Sequence, residues 1–212
     1  DMEGKKLSKR KGSFGLASLR EEVGLEPMAI ISLMARIGTS DPIEPLFTID
    51  EAIESFDFSK FSRNLPKFDE EELYRLNAKI LHKLEFAQVK DRLAALGMND
   101  VDEAFWLAVR PNLELLADIK DWWQVAKGPV TPVIEDAEFT KIAADLLPEG
   151  PWDNKTWEQW VSAIKAKTDR KGKALFMPLR LSITGQEHGP ELGALLPLIG
   201  RQRVLERLKS AA

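Results

Sequence analysis

Nowhere in this chain do polar and apolar side chains alternate cleanly over more than five residues, whereas apolar residues return at every third or fourth position. That is the period of an α-helix, because a half-buried strand repeats its face every second residue. Pro27 suits the first turn of a helix through Ile30, Leu33, Met34 and Ile37, with Gly38 as its stop. Thr48 and Glu51 have capping-box spacing ahead of Ala52, Ile53 and Phe56, and Asp69 and Glu72 repeat it before Leu73, Leu76, Ile80 and Leu84. Further stripes run from Phe86 to Leu96, Phe105 to Val109, Leu113 to Lys127, and Phe139 to Leu147. The last four cover Trp157 to Ile164, Lys173 to Thr184 with Pro178 inside or at a break, Pro190 to Ile199, and Gln202 to Lys209. The pattern predicts an all-α, multihelical fold.

Composition narrows what such a fold can do. The 212 residues are 44% hydrophobic and 30% charged, so the chain is globular and long enough to bury its own core. It has no Cys and only two His, His82 and His188, which removes thiolate chemistry and makes a metal site unexpected. No apolar run approaches the roughly 20 residues of a membrane span, and the basic N-terminus is not followed by the apolar segment of a secretory signal. A cytoplasmic protein is expected, and a chain that opens inside a charged loop reads as a piece of a longer one. Two proline-rich joints, Asn64-Leu-Pro66 and Gly128-Pro-Val-Thr-Pro132, suggest divisions at 1–66, 67–135 and 136–212. The net charge is −4, yet the last of these carries 12 basic against 10 acidic groups, a net of +2, so a polyanion partner is sought there.

Residues 5–11 hold five basic groups, with Ser8 among them and Gly4 and Gly12 at the flanks. Mobile backbone with ammonium groups suits a loop that closes over a triphosphate and neutralises departing pyrophosphate. Composition alone favours a solvated basic arm, but the order of residues says more. Lys6-Leu-Ser-Lys-Arg10 resembles the KMSKS-type signature of class I aminoacyl-tRNA synthetases, in the KLSKR form typical of glutamyl-tRNA synthetases. Gly24-Leu-Glu-Pro-Met-Ala29 with Leu33-Met-Ala-Arg-Ile-Gly38 is similar to the segment "G-L-P-E-A…L-A-R-L-G" of that family, with Glu-Pro in place of Pro-Glu and Thr39 where Trp is common. Phe68-Asp69 with Leu76-Asn77 resembles its "F-D…L-N" element. Gly172-Lys-Ala-Leu-Phe-Met-Pro-Leu-Arg180, Thr184-Gly185, His188-Gly-Pro-Glu-Leu192 and Leu198-Ile-Gly200 are similar to the C-terminal signature of the bacterial enzymes.

The resemblance implies the C-terminal half of a glutamate–tRNA ligase. It would hold the KLSKR loop and stem-contact region in 1–66 and two helical anticodon-binding subdomains in 67–135 and 136–212. The HIGH-type signature of the nucleotide-binding fold is absent, so this chain alone is expected to be inactive. Lys9, supported by Lys6, Ser8 and Arg10, would hold the phosphates of ATP, which the parent uses with Mg2+. The implied partners are glutamate-accepting tRNA and, through the missing catalytic domain, ATP and glutamate; neither DNA nor a membrane is among them. Readings from other classes are a free-standing helical RNA-binding module and a helical protein-interaction domain.

A second basic segment, Lys165 to Arg180, contains Lys165, Lys167, Arg170, Lys171, Lys173 and Arg180 against one acid, Asp169. Read from the residues alone, it is equally a solvated face or a phosphate grip. The family resemblance tips it toward tRNA. Six tryptophans could offer stacking faces to unpaired bases, but Trp157 and Trp160 share helical spacing with Val161 and Ile164, which is core spacing. Trp106, Trp122 and Trp123 are likewise expected inside, at least one of the adjacent pair packing between subdomains, while Trp152 in its Pro/Asp/Asn turn is left open. The acidic run Asp69-Glu-Glu-Glu72 is better explained by a helix cap than by a metal.

Overall fold

The computed structural model describes residues 15–210, so Lys6, Ser8, Lys9, Arg10 and Ser13 lie outside the described residues. Twelve α-helices occupy the described residues, and the one extended pairing among them is a single antiparallel bridge between Thr39 and Phe61. The fold is all-α. It divides into two compact units that exchange chain: the first is Asp1–Asp100 with Arg110–Ile119, the second Val101–Val109 with Lys120–Ala212.

The first unit contains α1 (Leu16–Glu21), α2 (Pro27–Arg36), α3 (Ile49–Glu54), α4 (Glu70–Leu81) and α5 (Phe86–Ala95). The predicted starts are met where a side chain takes over an orphan backbone N–H. Thr48 Oγ1 accepts from the N–H of Glu51, whose own carboxylate accepts from the N–H of Phe47. Asp69 accepts from the N–H of Glu71, and Glu72 pairs with Arg75 one turn on, so the acidic run serves the helix start. Helix α2 ends before Gly38, whose φ of 82° only glycine adopts readily. It packs on α4 through Ala29, Ile30 and Leu33 against Leu73, Leu76 and Ile80, all buried. Inside this contact Asn77 is fully buried. Its Oδ1 accepts from the N–H of Glu26 at 2.6 Å and its Nδ2 donates to the carbonyl of Glu114 at 2.5 Å. The buried carboxylate of Glu26 is matched by Arg92.

The second unit is α6 (Glu103–Val109), α7 (Ile119–Lys127), α8 (Ala137–Asp145), α9 (Thr156–Thr168), α10 (Lys173–Thr184), α11 (Leu192–Ile199) and α12 (Arg201–Lys209). Two sequence expectations change. The stripe predicted as one helix from Leu113 becomes helical only at Ile119. The cause is Asp118, whose carboxylate accepts from the N–H groups of both Glu114 and Leu115 and folds Leu116–Asp118 into a 3-10 turn. In the first unit, helix α1 is added; at six residues it has too few apolar repeats to show as a period. Pro178 lies inside α10 without ending it.

Helix α12 packs against α8, α10 and α11, and its Arg207 is only 6% exposed. The guanidinium donates to the carbonyls of Ile183 at 2.8 Å, Val125 at 2.8 Å and Gly128 at 3.2 Å. These carbonyls lie near the C-terminal ends of α10 and α7, where no further helical turn supplies an N–H and the negative pole of each helix gathers. Hydrogen bonds from a charged donor contribute roughly 1.5–3 kcal/mol each. Arg207→Met should therefore cost about 3 kcal/mol or more of stability in urea denaturation, and Arg207→Lys should recover part of it, because one ammonium cannot span both helix ends. A loss below about 1 kcal/mol in the Met variant would show that these carbonyls find other donors.

Candidate functional site

Of the six basic residues singled out in the sequence, Lys165, Lys167, Arg170, Lys171 and Lys173 flank or form the turn between α9 and α10, while Arg180 lies two turns further along α10. Helix α9 ends at Thr168, and Asp169 adopts a left-handed conformation (φ 53°, ψ 8°) that closes it; aspartate tolerates this better than most side chains. Gly172, also at φ 53°, opens α10. Arg170 and Lys171 are thus held between two residues of positive φ in the short connection 169–172.

Arg170 is not free in this turn. Its guanidinium lies 4.1 Å from the centroid of the buried Phe139 ring and donates to Asp136 Oδ2 at 2.5 Å. Asp136 is the N-cap of α8, its other oxygen accepting from the N–H of Phe139. One carboxylate therefore caps a helix and pins the loop. The N–H of Phe139, followed by Arg170, holds the Asp136 carboxyl below the usual carboxylate range. Arg180, on α10, is half-buried. Its Nη2 donates to the carbonyl of Pro190 at 2.8 Å, while Nη1 is buried and finds no hydrogen-bond partner among the described residues. Desolvation pushes its pKa down.

Lys165, Lys167, Lys171 and Lys173 are exposed. Of the six basic residues singled out in the sequence, then, four present ammonium groups to solvent and two arginines are engaged with the protein. Sequence reasoning could not separate them, because Asp136 is 34 residues from Arg170 and Pro190 is ten from Arg180.

The tryptophans divide. Trp106 and Trp160 are fully buried, and Trp160 donates its indole N–H to the carbonyl of Ala143 at 2.8 Å. Trp123 meets Phe105 edge-on, and Trp122 fills the space beside Gly189, where any Cβ would collide with its ring. Trp152 donates to the carbonyl of Pro148 and is half-buried. Trp157 is half-buried as well, and it packs toward Phe176, an exposed aromatic that helical periodicity alone did not single out. His82 contacts the carbonyl of Leu113, and His188 is exposed in its turn. Among the described residues no group of three His, Asp or Glu could hold a metal ion, and no helix is long and apolar enough to cross a membrane.

Two family models match the chain. Residues 108–212 match a model of the anticodon binding domain, and residues 1–75 match the catalytic-domain model of class I tRNA synthetases (E and Q). A glutamate–tRNA ligase of Maricaulis maris is 54% identical over 210 residues, 99% of this chain and 47% of the relative. The glutamate–tRNA ligase of Azospirillum brasilense is 54% identical over 208 residues, 98% of this chain and 46% of the relative. The chain thus spans about half the length of the curated relatives it matches. A crystal structure of a glutamate tRNA ligase from Elizabethkingia meningosepticum superposes over 98% of the chain and 48% of its own, with a TM-score of 0.75 at 20% identity, so the fold is shared.

The Asp136–Arg170 clasp makes a pH prediction. A carboxyl whose folded pKa is depressed stabilises the fold fully above its unfolded value, about 3.9, and that stability is lost as pH falls through the folded value. An NMR titration of Asp136 should give a midpoint below that of an unfolded aspartate, and Arg170→Ala should raise it only partly, since the N–H of Phe139 is the larger cause. An unmoved midpoint in the variant would mean that Arg170 does not act on the Asp136 carboxyl.

Proposed function

We propose, from the premise that this chain is homologous to the glutamate–tRNA ligases over 99% of its length, that it is the tRNA-binding part of such a ligase and docks the anticodon arm on its second unit. The observation that carries this reading is the set of four exposed lysines gathered on a turn that Asp136 and Arg170 hold in one shape. Ammonium groups at Lys165, Lys167, Lys171 and Lys173 supply the sequence-independent phosphate contacts that fix an RNA in register. Arg170 and Arg180 act on the RNA through the loop and helix they hold.

In the whole ligase the reaction has two steps. The carboxylate of glutamate attacks the α-phosphate of ATP, giving glutamyl-adenylate and pyrophosphate. A ribose hydroxyl of the terminal adenosine of tRNA then takes the glutamyl group and AMP leaves. Lys9, with Lys6, Ser8 and Arg10 around it, neutralises charge as pyrophosphate departs, which is electrostatic stabilisation and not proton transfer. These residues would hold ATP as its Mg2+ complex in a ligase working in the cytoplasm. This chain contributes remote binding energy that positions the acceptor end, so anticodon contacts raise the rate of a distant step. The chain alone does not activate glutamate.

Fluorescence titration of the chain with glutamate tRNA at two salt concentrations tests the docking. Binding should weaken with salt and weaken again when the anticodon is changed. Lys171→Ala and Lys173→Ala should each lower the salt slope by roughly 0.7, the share of a single phosphate on an unpaired strand. Equal binding to both tRNAs would overturn anticodon docking by this chain. In the full ligase, Lys9→Ala should sharply reduce adenylate formation, measured by pyrophosphate exchange, with tRNA affinity nearly intact. A matching loss of both would reassign the loop to tRNA binding.

A further inference from the structure

Phe176 is 38% exposed, and among the described residues of the second unit it is the one aromatic left so open. It lies in the first turn of α10, three residues after Lys173 and so on the same face of the helix. The Nζ of Lys165, from the last turn of α9, stands 5.7 Å from the centroid of its ring. Trp157 lies behind it, ring centroids 6.0 Å apart and planes tilted by 37°. Trp157 in turn packs edge-on against Trp160 at 5.9 Å, and Trp160 is fixed by its bond to the carbonyl of Ala143. Gly193 leaves the space that the Trp157 ring occupies, for a Cβ there would lie 3.3 Å from Cδ1.

A row of three rings thus runs from the core to the surface, rigid at its inner end and open at its outer end. The open end is flanked by two ammonium groups, Lys165 and Lys173. The Lys165 ammonium over the Phe176 ring is a surface cation–π contact. A base stacking on that face would displace the flexible lysine, whose ammonium group would then meet a phosphate.

We infer that Phe176, backed by Trp157, is a stacking platform for one unpaired base of an RNA loop, with Lys165 and Lys173 meeting the phosphates on either side of that base. This rests on the tRNA-docking reading and gives it a named contact. Stacking of a base on an aromatic ring tolerates any base, because each has a π-face, so the platform adds affinity and position and leaves discrimination to other contacts.

The test uses the full 212-residue chain and an anticodon stem-loop RNA of glutamate tRNA with 2-aminopurine placed in the loop. Phe176→Ala and Phe176→Leu should each weaken binding roughly tenfold, within the range expected for removing one base stack, and should reduce the 2-aminopurine quenching seen with the unaltered chain. The salt slope should stay unchanged in both, whereas Lys165→Ala should lower it. Phe176→Leu keeps an apolar side chain at the position, so a fold that fails only in the Ala variant is recognised by circular dichroism. Phe176→Tyr keeps the ring and should bind like the parent. If Phe176→Leu binds and quenches as the unaltered chain does, the platform is wrong while tRNA docking stands. If the unaltered chain does not bind the RNA at all, both readings fall.

Discussion

The structure depends on meeting the polar ends of many short helices. Each helix leaves four N–H groups and four carbonyls without an internal partner, and helices of six to thirteen residues present such ends everywhere. Where an end reaches solvent, water meets it. Where it is buried, a side chain must, or the unmade bond costs more than a made one contributes. The chain's polar residues are distributed accordingly. Asn77 meets the N–H of Glu26 at the start of α2 and the carbonyl of Glu114. Arg207 takes the carbonyls near the ends of α7 and α10. Arg110 takes that of Leu84, just beyond α4, and Trp160 meets one on α8.

This demand explains how the cations are divided. Arginine offers five donors in a planar fork and is less strongly hydrated than an ammonium group, so it can be buried against carbonyls or a carboxylate. Arg92 and Arg170 each pair with a carboxylate and Arg180 and Arg207 donate to carbonyls, Arg207 the most deeply buried of the four. Lysine holds its single charge on a flexible stem and keeps it in water, and Lys165, Lys167, Lys171 and Lys173 remain exposed. The same basic segment therefore contains arginines bound to the protein and lysines left in solvent. Asp136 joins the cap of α8 to the turn that bears Lys171.

Local chemistry was legible in the sequence, and long-range chemistry was not. Pro27, Thr48, Asp69 and Gly38 announce helix boundaries because caps act within four residues of themselves. Asp118 also acts locally, but its bonds to two preceding N–H groups delay a helix that periodicity starts at Leu113. The pairings that sort the arginines join residues ten, 34 and 82 positions apart, and no spacing rule reaches that far. Phe176 was hidden for a related reason. Its neighbours in α10 carry the apolar stripe, and only the packing of α9 beside it shows that this ring stays open while Leu175 and Leu179 are buried.

A chain of net charge −4 can still hold a polyanion because its charges are not felt as a sum. At 0.1 M salt an exposed charge is screened over about 10 Å, so a phosphate near the α9–α10 turn responds to the lysines within a helical turn or two of it. Asp169, the one acid in that basic stretch, closes α9 where the helix carbonyls already gather negative charge, and Arg170 and Lys171 follow at once. The acids that make the total negative lie elsewhere in the sequence, as at Glu70, Glu71 and Glu72 in the first turn of α4, where they answer a helix N-terminus. Local ordering of charge thus gives a chain of net charge −4 a locally basic turn, and the phosphate contact proposed there would depend steeply on salt.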